Sequence, residues 1–213
     1  MATLNKGILG GFSGKVGTVV GANWRGLDII RSRPKNAKRN PTEKQLEQQM
    51  KFKLAVSFLQ PLKTIQSMYF GSGSGVKSRV NMAVSYTINE AIQVVVGLPE
   101  LIYNKVLITR GELTSFQNAV LTTQPGGVLH LEWEDNSTQG NAAPADLVSI
   151  VCYCEELKNW EIFEGIVMRS DLMTDVTLPA YCLDKTMEVY AFLNNVKQTA
   201  ASTSFYLGQH LVK

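Results

Sequence analysis

The stretch Val128-Leu-His-Leu-Glu-Trp-Glu134 decides the class of fold that the sequence predicts. Its apolar residues Leu129, Leu131 and Trp133 alternate with polar ones, which is the pattern of a strand with one buried face. Similar short runs, separated by turn residues, continue to the end of the chain. The predicted strands are Val106–Leu113, Ala119–Thr122, Val128–Glu134, Leu147–Cys154, Ile162–Arg169, Asp175–Leu178, Glu188–Leu193 and Thr203–Leu207. This pattern is typical of an antiparallel β-sandwich of immunoglobulin or fibronectin type III kind, with Trp133 in its core.

The segment before these strands predicts two helices. A capping-box pattern begins at Asn40, apolar residues then recur with the helical period as far as Leu59, and Pro61 is expected to stop or kink the helix. A second helix is predicted from about Val76 to Val96, after the flexible connector Gly71–Gly75. The predicted apolar stripe of the first helix contains Leu46, Met50, Leu54, Ala55, Phe58 and Leu59.

The first 39 residues are rich in glycine and in basic residues. Two β-favouring runs, Val16–Val20 and Leu27–Arg31, are separated by a turn signal at Trp24–Gly26 and predict a hairpin. An isolated ribbon with so few large side chains is only marginally stable in water, so we expect it to pack against another surface, on its own chain or on a neighbouring one. The sequence therefore predicts an α+β protein with a Gly-rich basic β-ribbon arm (1–39), a helical pair (40–104) and a β-sandwich domain (105–213).

The net charge of +3 hides an uneven distribution. Residues 1–53 carry 11 lysines and arginines against 3 acidic residues, whereas residues 54–213 carry 10 against 15. A basic head on an acidic body favours an anionic partner or a second copy of the chain. The basic residues expected to make this contact are Arg25, Arg31, Arg33, Lys35, Lys38 and Arg39. The apolar arm residues expected to fill pockets on the partner are Val16, Val19, Val20, Trp24, Ile29 and Ile30.

Residue patterns that carry chemistry are weak in this chain. The two histidines, His130 and His210, stand in no metal-ligand spacing, and nothing near them indicates a nucleophilic triad. The loop Gly10–Lys15 lacks the phosphate-loop spacing, because Leu9 stands where the first glycine is needed. The sequence therefore predicts a non-enzymatic protein without a cofactor, a metal ion or a small-molecule substrate.

Cysteines and clustered acids also favour structural interpretations. The acidic residues Glu132, Glu134 and Asp135, with Asp146 beyond the next loop, are expected to form a solvated sheet edge. The three cysteines lack a zinc spacing and are expected to be buried reduced thiols; they are Cys152, Cys154 and Cys182.

No apolar run reaches the roughly 18–20 residues that a membrane-spanning helix needs. The segment Met1–Gly17 lacks the continuous apolar core of a secretory signal peptide. We therefore expect a cytoplasmic or particle-associated protein.

Three strings of the chain resemble the DUF6266 family, which comprises proteins of unknown function from Bacteroidetes-type bacteria. They are KGILGGFSGKVGTVVGANWRGLDIIRSRPK (Lys6–Lys35), NPTEKQLEQQMKFKLAVSFLQPL (Asn40–Leu62) and SFYLG (Ser204–Gly208). The resemblance implies a bacterial source and the same domain layout, and it supplies no catalytic residues. The N-terminal pattern is also similar to that of small phage-associated structural proteins.

Three functions follow as expectations. The favoured one is a structural self-assembly protein, a filament, tube, or phage or particle component, that forms a homo-oligomer when the ribbon Gly7–Pro34 adds to the next subunit by β-augmentation. The acidic excess of residues 111–213, 13 against 5 basic residues, would attract the basic arm. The first alternative is a nucleic-acid-binding protein that uses the same arm. The second is a surface- or carbohydrate-binding sandwich with Tyr153 and Trp160 as exposed aromatics.

Overall fold

The chain divides by its internal contacts into two units, Met1–Thr42 and Glu43–Lys213. The structure, a computed structural model, describes residues 3–4, 11–24, 26–33, 40–72 and 77–213. Residues 73–75 of the predicted connector lie outside these ranges, as does residue 76. The three-part division of the sequence stays a prediction.

The N-terminal unit is a four-stranded antiparallel sheet in the order β1-β2-β3-β4. Its strands are β1 (Thr3–Leu4), β2 (Phe12–Val16), β3 (Val19–Trp24) and β4 (Leu27–Ser32). The predicted hairpin is confirmed for β3 and β4, where Trp24 pairs with Leu27. The predicted strand Val16–Val20 is wrong, because a turn at Gly17, with a φ of +56°, separates Val16 from its partner Val19.

The second unit begins with its helices, α1 (Glu43–Leu59), α2 (Lys63–Tyr69) and α3 (Arg79–Glu90). A 3₁₀ turn around Pro61 joins α1 to α2, so the expected kink at this proline is confirmed. The apolar stripe of α1 is buried at Ala55, Phe58 and Leu59. Its first members, Leu46 and Met50, are exposed, so the predicted stripe covers a core only in the second half of the helix.

A short hairpin follows α3, with strands β5 (Ile92–Val95) and β6 (Leu98–Leu101). The prediction of a helix as far as Val96 is therefore wrong at its end. The run Val94–Val96 is β-branched and favours extended backbone, and Gly97 completes a tight turn behind it.

Seven strands form the rest of the unit. They are β7 (Gln117–Gln124), β8 (Val128–Glu134), β9 (Leu147–Cys154), β10 (Asn159–Met168), β11 (Met173–Thr177), β12 (Thr186–Asn194) and β13 (Phe205–Leu211). They make a four-stranded antiparallel sheet in the order β10-β9-β12-β13 and a three-stranded antiparallel sheet in the order β11-β8-β7. The predicted bounds of β8 and β9 match the observed ones.

The predicted strand Val106–Leu113 is wrong. Its backbone bends at Ile108 and Glu112 and makes only isolated bridges at Arg110 and Leu113, so its backbone groups bond to changing partners and not to one neighbouring strand. The Ile108 N–H donates to the Ser204 hydroxyl at 2.9 Å, and the Arg110 N–H donates to the Tyr69 carbonyl at the end of α2 at 3.0 Å. No continuous ladder forms, so the segment connects the helices to the sheets.

The four-stranded sheet is buried on both faces and separates two cores. Along β12, Val189 and Ala191 enter the core between the two sheets, where Trp133 also lies. The intervening Tyr190 and Phe192 point to the opposite face and pack beneath the helices. The helices therefore form a third layer over this sheet, and the molecule is a β-rich α+β protein.

Candidate assembly surfaces

The predicted apolar contact residues of the N-terminal sheet divide between its two faces. Residues paired across antiparallel strands share a face, and successive residues alternate. One face carries Val20, Ala22, Trp24, Leu27, Ile29 and Arg31. The other carries Val16, Val19, Asp28, Ile30 and Ser32. Each face thus receives three of the six predicted residues.

Almost no side chain is buried in this sheet. Within residues 11–24 and 26–33, Gly21 is the only buried residue, and Phe12 lies against it where a Cβ would stand. All six residues of β4 are exposed, and the exposed fraction of Ile30 reaches 69%. In the described part of the sheet β4 is an edge strand, so one side of its backbone lacks a strand partner.

Two of the predicted basic residues, Arg31 and Arg33, are placed by the structure. Both are exposed. The Arg33 N–H donates to the Thr18 carbonyl at 2.8 Å, which extends the β3–β4 ladder by one residue. Arg31 and Arg33 are two residues apart along this ladder, so both side chains lie on one face. The other predicted basic residues lie outside the described ranges; they are Arg25, Lys35, Lys38 and Arg39.

A groove of about 780 Å³ lies between α1 and α3 in the second unit. Its apolar walls include Phe52, Val56, Val84 and Ile88. Polar lining residues are uncharged amides and a serine, and Lys63 is the one charged lining residue among the described ranges. The sequence pattern did not reveal this surface, because Phe52 and Val56 lie outside the predicted apolar stripe of α1.

Gln66 lies in the lining of this groove and is completely buried. Within the described residues, neither its amide nitrogen nor its amide oxygen has a hydrogen-bond partner. The buried hydroxyl of Thr87 on α3 is also unpaired there. An unpaired buried amide is costly, so a partner that offers both a donor and an acceptor would relieve it. The sequence indicates this buried amide only by placing Gln66 among apolar residues that are themselves buried, Leu62, Ile65 and Tyr69.

The tip of the β5–β6 hairpin is a second exposed apolar element. Val96 and Gly97 both have positive φ angles, 49° and 78°, which is the signature of a type I′ hairpin turn. The exposed fraction of Val96 is 98%, and its neighbours Val94, Val95 and Leu98 are also exposed. The tip therefore presents a continuous apolar surface.

Tyr153 and Trp160 join an aromatic cluster under α1. The Trp160 indole N–H donates to the Phe58 carbonyl at 2.8 Å, and the rings of Trp160 and Tyr153 lie 4.9 and 4.8 Å from the Phe58 ring. Tyr153 is buried. Burial, and to a lesser extent the Glu155 carboxylate, raise the pKa of the neighbouring Tyr103 hydroxyl. These aromatics hold α1 against the four-stranded sheet.

The acidic cluster predicted at a sheet edge is not uniformly solvated. Asp146 is buried and lies 3.2 Å from Arg169, whose guanidinium also donates to Asn136 at 2.5 Å and to the Thr114 carbonyl at 2.7 Å. The Trp133 indole N–H donates to the Arg169 carbonyl at 2.8 Å. This polar cluster fixes the loops at one end of the two sheets, and the expectation of a solvated edge is wrong for Asp146.

His130 lies between two carboxylates on neighbouring strands. Its Nδ1 is 2.5 Å from Asp175 Oδ1, and its Nε2 is 2.7 Å from Glu132 Oε1. Hydrogen bonds to Asp175 first and to Glu132 second raise the pKa of His130. Across the described ranges, no three histidine, cysteine or acidic side chains are grouped to hold a metal ion.

The three cysteines are free and completely buried, as expected from the sequence; they are Cys152, Cys154 and Cys182. Burial raises the pKa of the Cys152 and Cys182 thiols. Cys152 and Cys154 share a side of β9, because residues two apart in a strand face the same way, and both enter the core between the sheets. They therefore serve as small core residues.

These features define a β-rich α+β protein with an exposed edge strand in one unit and an exposed apolar hairpin in the other. The chain belongs to the DUF6266 family, described as a family of unknown function, whose model matches residues 11–208. This match confirms the resemblance drawn from the sequence. No curated protein matches the chain. In the part of the chain that the structure describes, no helix combines the length and apolarity needed to cross a membrane.

Proposed function

We propose that this chain is a non-enzymatic structural protein that assembles with copies of itself into a filament, a tube, or a phage or other particle component. The observation that carries the proposal is β4, an edge strand whose six residues are all exposed. Three of them, Leu27, Ile29 and Ile30, are large and apolar. An exposed edge strand with apolar side chains and unpaired backbone groups is a template for pairing with another chain.

The proposed mechanism is β-augmentation by the N-terminal arm. The outer backbone edge of β4, which pairs with no strand among the described residues, would supply hydrogen bonds to a strand of the next subunit, and its apolar side chains would fill pockets there. The exposed Arg31 and Arg33 would meet the acidic surface of residues 111–213, which contain 13 acidic and 5 basic residues. A head-to-tail contact of this kind extends into an open polymer unless its rotation closes a ring.

We also propose that the two facing sheets form a sandwich of the immunoglobulin and fibronectin type III kind. The strand orders β10-β9-β12-β13 and β11-β8-β7 support this assignment, since they correspond to the four-stranded and three-stranded sheets of such domains. The covering helical layer is an addition to that scheme. Sandwich domains serve many functions, so the assignment by itself carries no activity.

Light scattering on the full chain and on two variants tests the assembly. A chain lacking residues 1–35 and the single variant Ile30→Lys are both expected to give smaller particles than the intact protein, because each removes or charges the β4 surface. Val196→Lys is the matched control, since it charges an exposed valine in a turn of the other unit and not on an edge strand. Particles of unchanged size after the deletion would contradict the proposal.

Nucleic-acid binding by the same arm is the second candidate, favoured by the shared face of Arg31 and Arg33. It predicts binding to DNA or RNA that weakens steeply with added salt. The double variant Arg31→Glu/Arg33→Glu should abolish that binding under this alternative. Under self-assembly it should change particle size in the absence of any nucleic acid.

A further inference from the structure

The tip of the β5–β6 hairpin has a strained backbone conformation, and no contact within the described part of its unit compensates for this strain. Val96 has a φ of 49°, a left-handed conformation that a β-branched side chain rarely adopts. Asparagine or glycine normally occupies this position of such a turn. The Val96 side chain is 98% exposed, so packing within the described chain does not compensate for the strain.

The edges of this hairpin are protected unequally. β6 contains Pro99, which lacks an N–H, and Glu100, whose charge discourages strand pairing. β5 reads Ile-Gln-Val-Val and contains neither a charge nor a proline. In the described sheets β5 pairs only with β6, so its other edge is an unprotected apolar strand.

The α1–α3 groove has complementary chemistry. Its walls are apolar, and its side-chain amides offer donors and acceptors that suit an extended peptide backbone. Gln66 holds an unpaired donor and an unpaired acceptor in the same buried amide. The one charged lining residue of the described groove, Lys63, would find an opposite charge in Glu100 of an incoming hairpin.

We propose that the tip of the β5–β6 hairpin of one copy inserts into the α1–α3 groove of a second copy. Val96 and Leu98 would fill the apolar part of the groove, and the hairpin backbone would meet the Gln66 amide. The contact joins two different surfaces and therefore propagates from copy to copy. It uses no residue of the N-terminal unit and is thus independent of the arm-mediated assembly proposed above.

The variant Val96→Asn separates this role from a merely structural one. Asparagine tolerates the left-handed conformation, so the melting temperature of the dilute protein should rise by about 2–4 °C. The same change removes the apolar tip, so the dissociation constant for self-association should rise by about tenfold. Unchanged or tighter self-association would overturn the proposal.

Val196→Asn provides the matched control. Val196 is an exposed valine in another turn of the same unit and is not among the described residues with a positive φ. The identical chemical change there should leave both the melting temperature and the self-association unchanged. Equal weakening of self-association by both variants would contradict a specific role for the hairpin tip.

A cross-linking experiment locates the contact. One chain carries Val96→Cys and a second chain carries Phe52→Cys in the groove wall, and the mixture is oxidised. The native cysteines are buried, so a disulfide-linked heterodimer is expected only if the tip of one copy reaches the groove of another. Val196→Cys replaces Val96→Cys in the control mixture. A heterodimer yield no higher than in that control would overturn the proposal, whether or not the arm deletion affects assembly.

Discussion

Arg169 and Asp146 form an ion pair at 3.2 Å in which the two side chains are 0% and 2% exposed. The guanidinium also donates to three further acceptors, which are the Asn136 side chain and the carbonyls of Thr114 and Ser115. Asp146 in turn accepts from the Ala143 N–H at 2.8 Å. The pair thus ties the end of β10 to two loops that the sequence places far apart.

Replacing Arg169 is expected to destabilise the protein strongly. In Arg169→Met the Asp146 carboxylate stays buried without its partner, so the free energy of unfolding should fall by roughly 3–5 kcal/mol. Urea unfolding monitored by tryptophan fluorescence measures the loss. The double variant Arg169→Met/Asp146→Ala should lose less than the sum of the two single variants, because the buried charge is then absent.

Lys185→Met is the control for this prediction. Lys185 lies 2.8 Å from Glu156 in an ion pair whose partners are partly exposed. Its removal should lower the free energy of unfolding by less than about 1 kcal/mol. If Lys185→Met lowers the free energy of unfolding as much as Arg169→Met does, burial does not govern the strength of the Arg169 pair.

His130 gives the protein a pH-dependent increment of stability. Its pKa is raised above 6.5 in the folded state, by Asp175 first and Glu132 second, so the folded protein holds a proton that the unfolded chain releases. The increment is fully present below pH 6.5 and is lost as the pH rises through the raised value. Both carboxylates are well exposed, so the effect should be small.

The measurement compares wild type with His130→Gln by urea unfolding between about pH 5 and about pH 8. Wild type should be the more stable of the two at the acidic end, and the difference should shrink as the pH increases. A difference that grows with pH would contradict this assignment of the proton. Asp175→Asn should reduce the pH dependence, because it removes the stronger partner.

The three cysteines are expected to be inert in the folded protein. Their complete burial excludes reagents, and the raised pKa of Cys152 and Cys182 suppresses the reactive thiolate. A colorimetric thiol reagent should therefore detect none of the three before denaturant is added and all three afterwards. Val196→Cys, with one additional exposed thiol, should react at once and verify the assay. Rapid reaction of the native protein would contradict the burial of these residues.

The strands with the clearest alternation could be predicted because their signal is local. In β8, Leu129, Leu131 and Trp133 enter the core between the sheets, as the period of two requires. The same period of two explains why Arg31 and Arg33 share one face of the N-terminal sheet. The alternation of apolar and polar residues predicts which face of a strand is buried, and this prediction does not require the neighbouring strand to be known.

Features that depend on distant partners could not be predicted in this way. The segment Val106–Leu113 also begins with a β-favouring apolar run, but its N–H groups bond to the Ser204 hydroxyl and to the end of α2 in place of a neighbouring strand. In the sequence, the apolar residues Val94–Val96 were assigned to the end of the preceding helix. In the structure, the turn at Gly97 makes them part of a hairpin. Asp146 was predicted to be solvated like the acidic residues near it, because nothing in the sequence indicates its buried ion pair with Arg169.

The double burial of β12 has a consequence for how the second unit unfolds. Tyr190 and Phe192 face the helices while Val189 and Ala191 face the other sheet, so either layer, once detached, leaves half of this strand in water. Loss of one layer therefore weakens the other, and the unit should melt in a single cooperative step. A fragment that begins after the helices would expose the aromatic side of β12 and would be prone to aggregation.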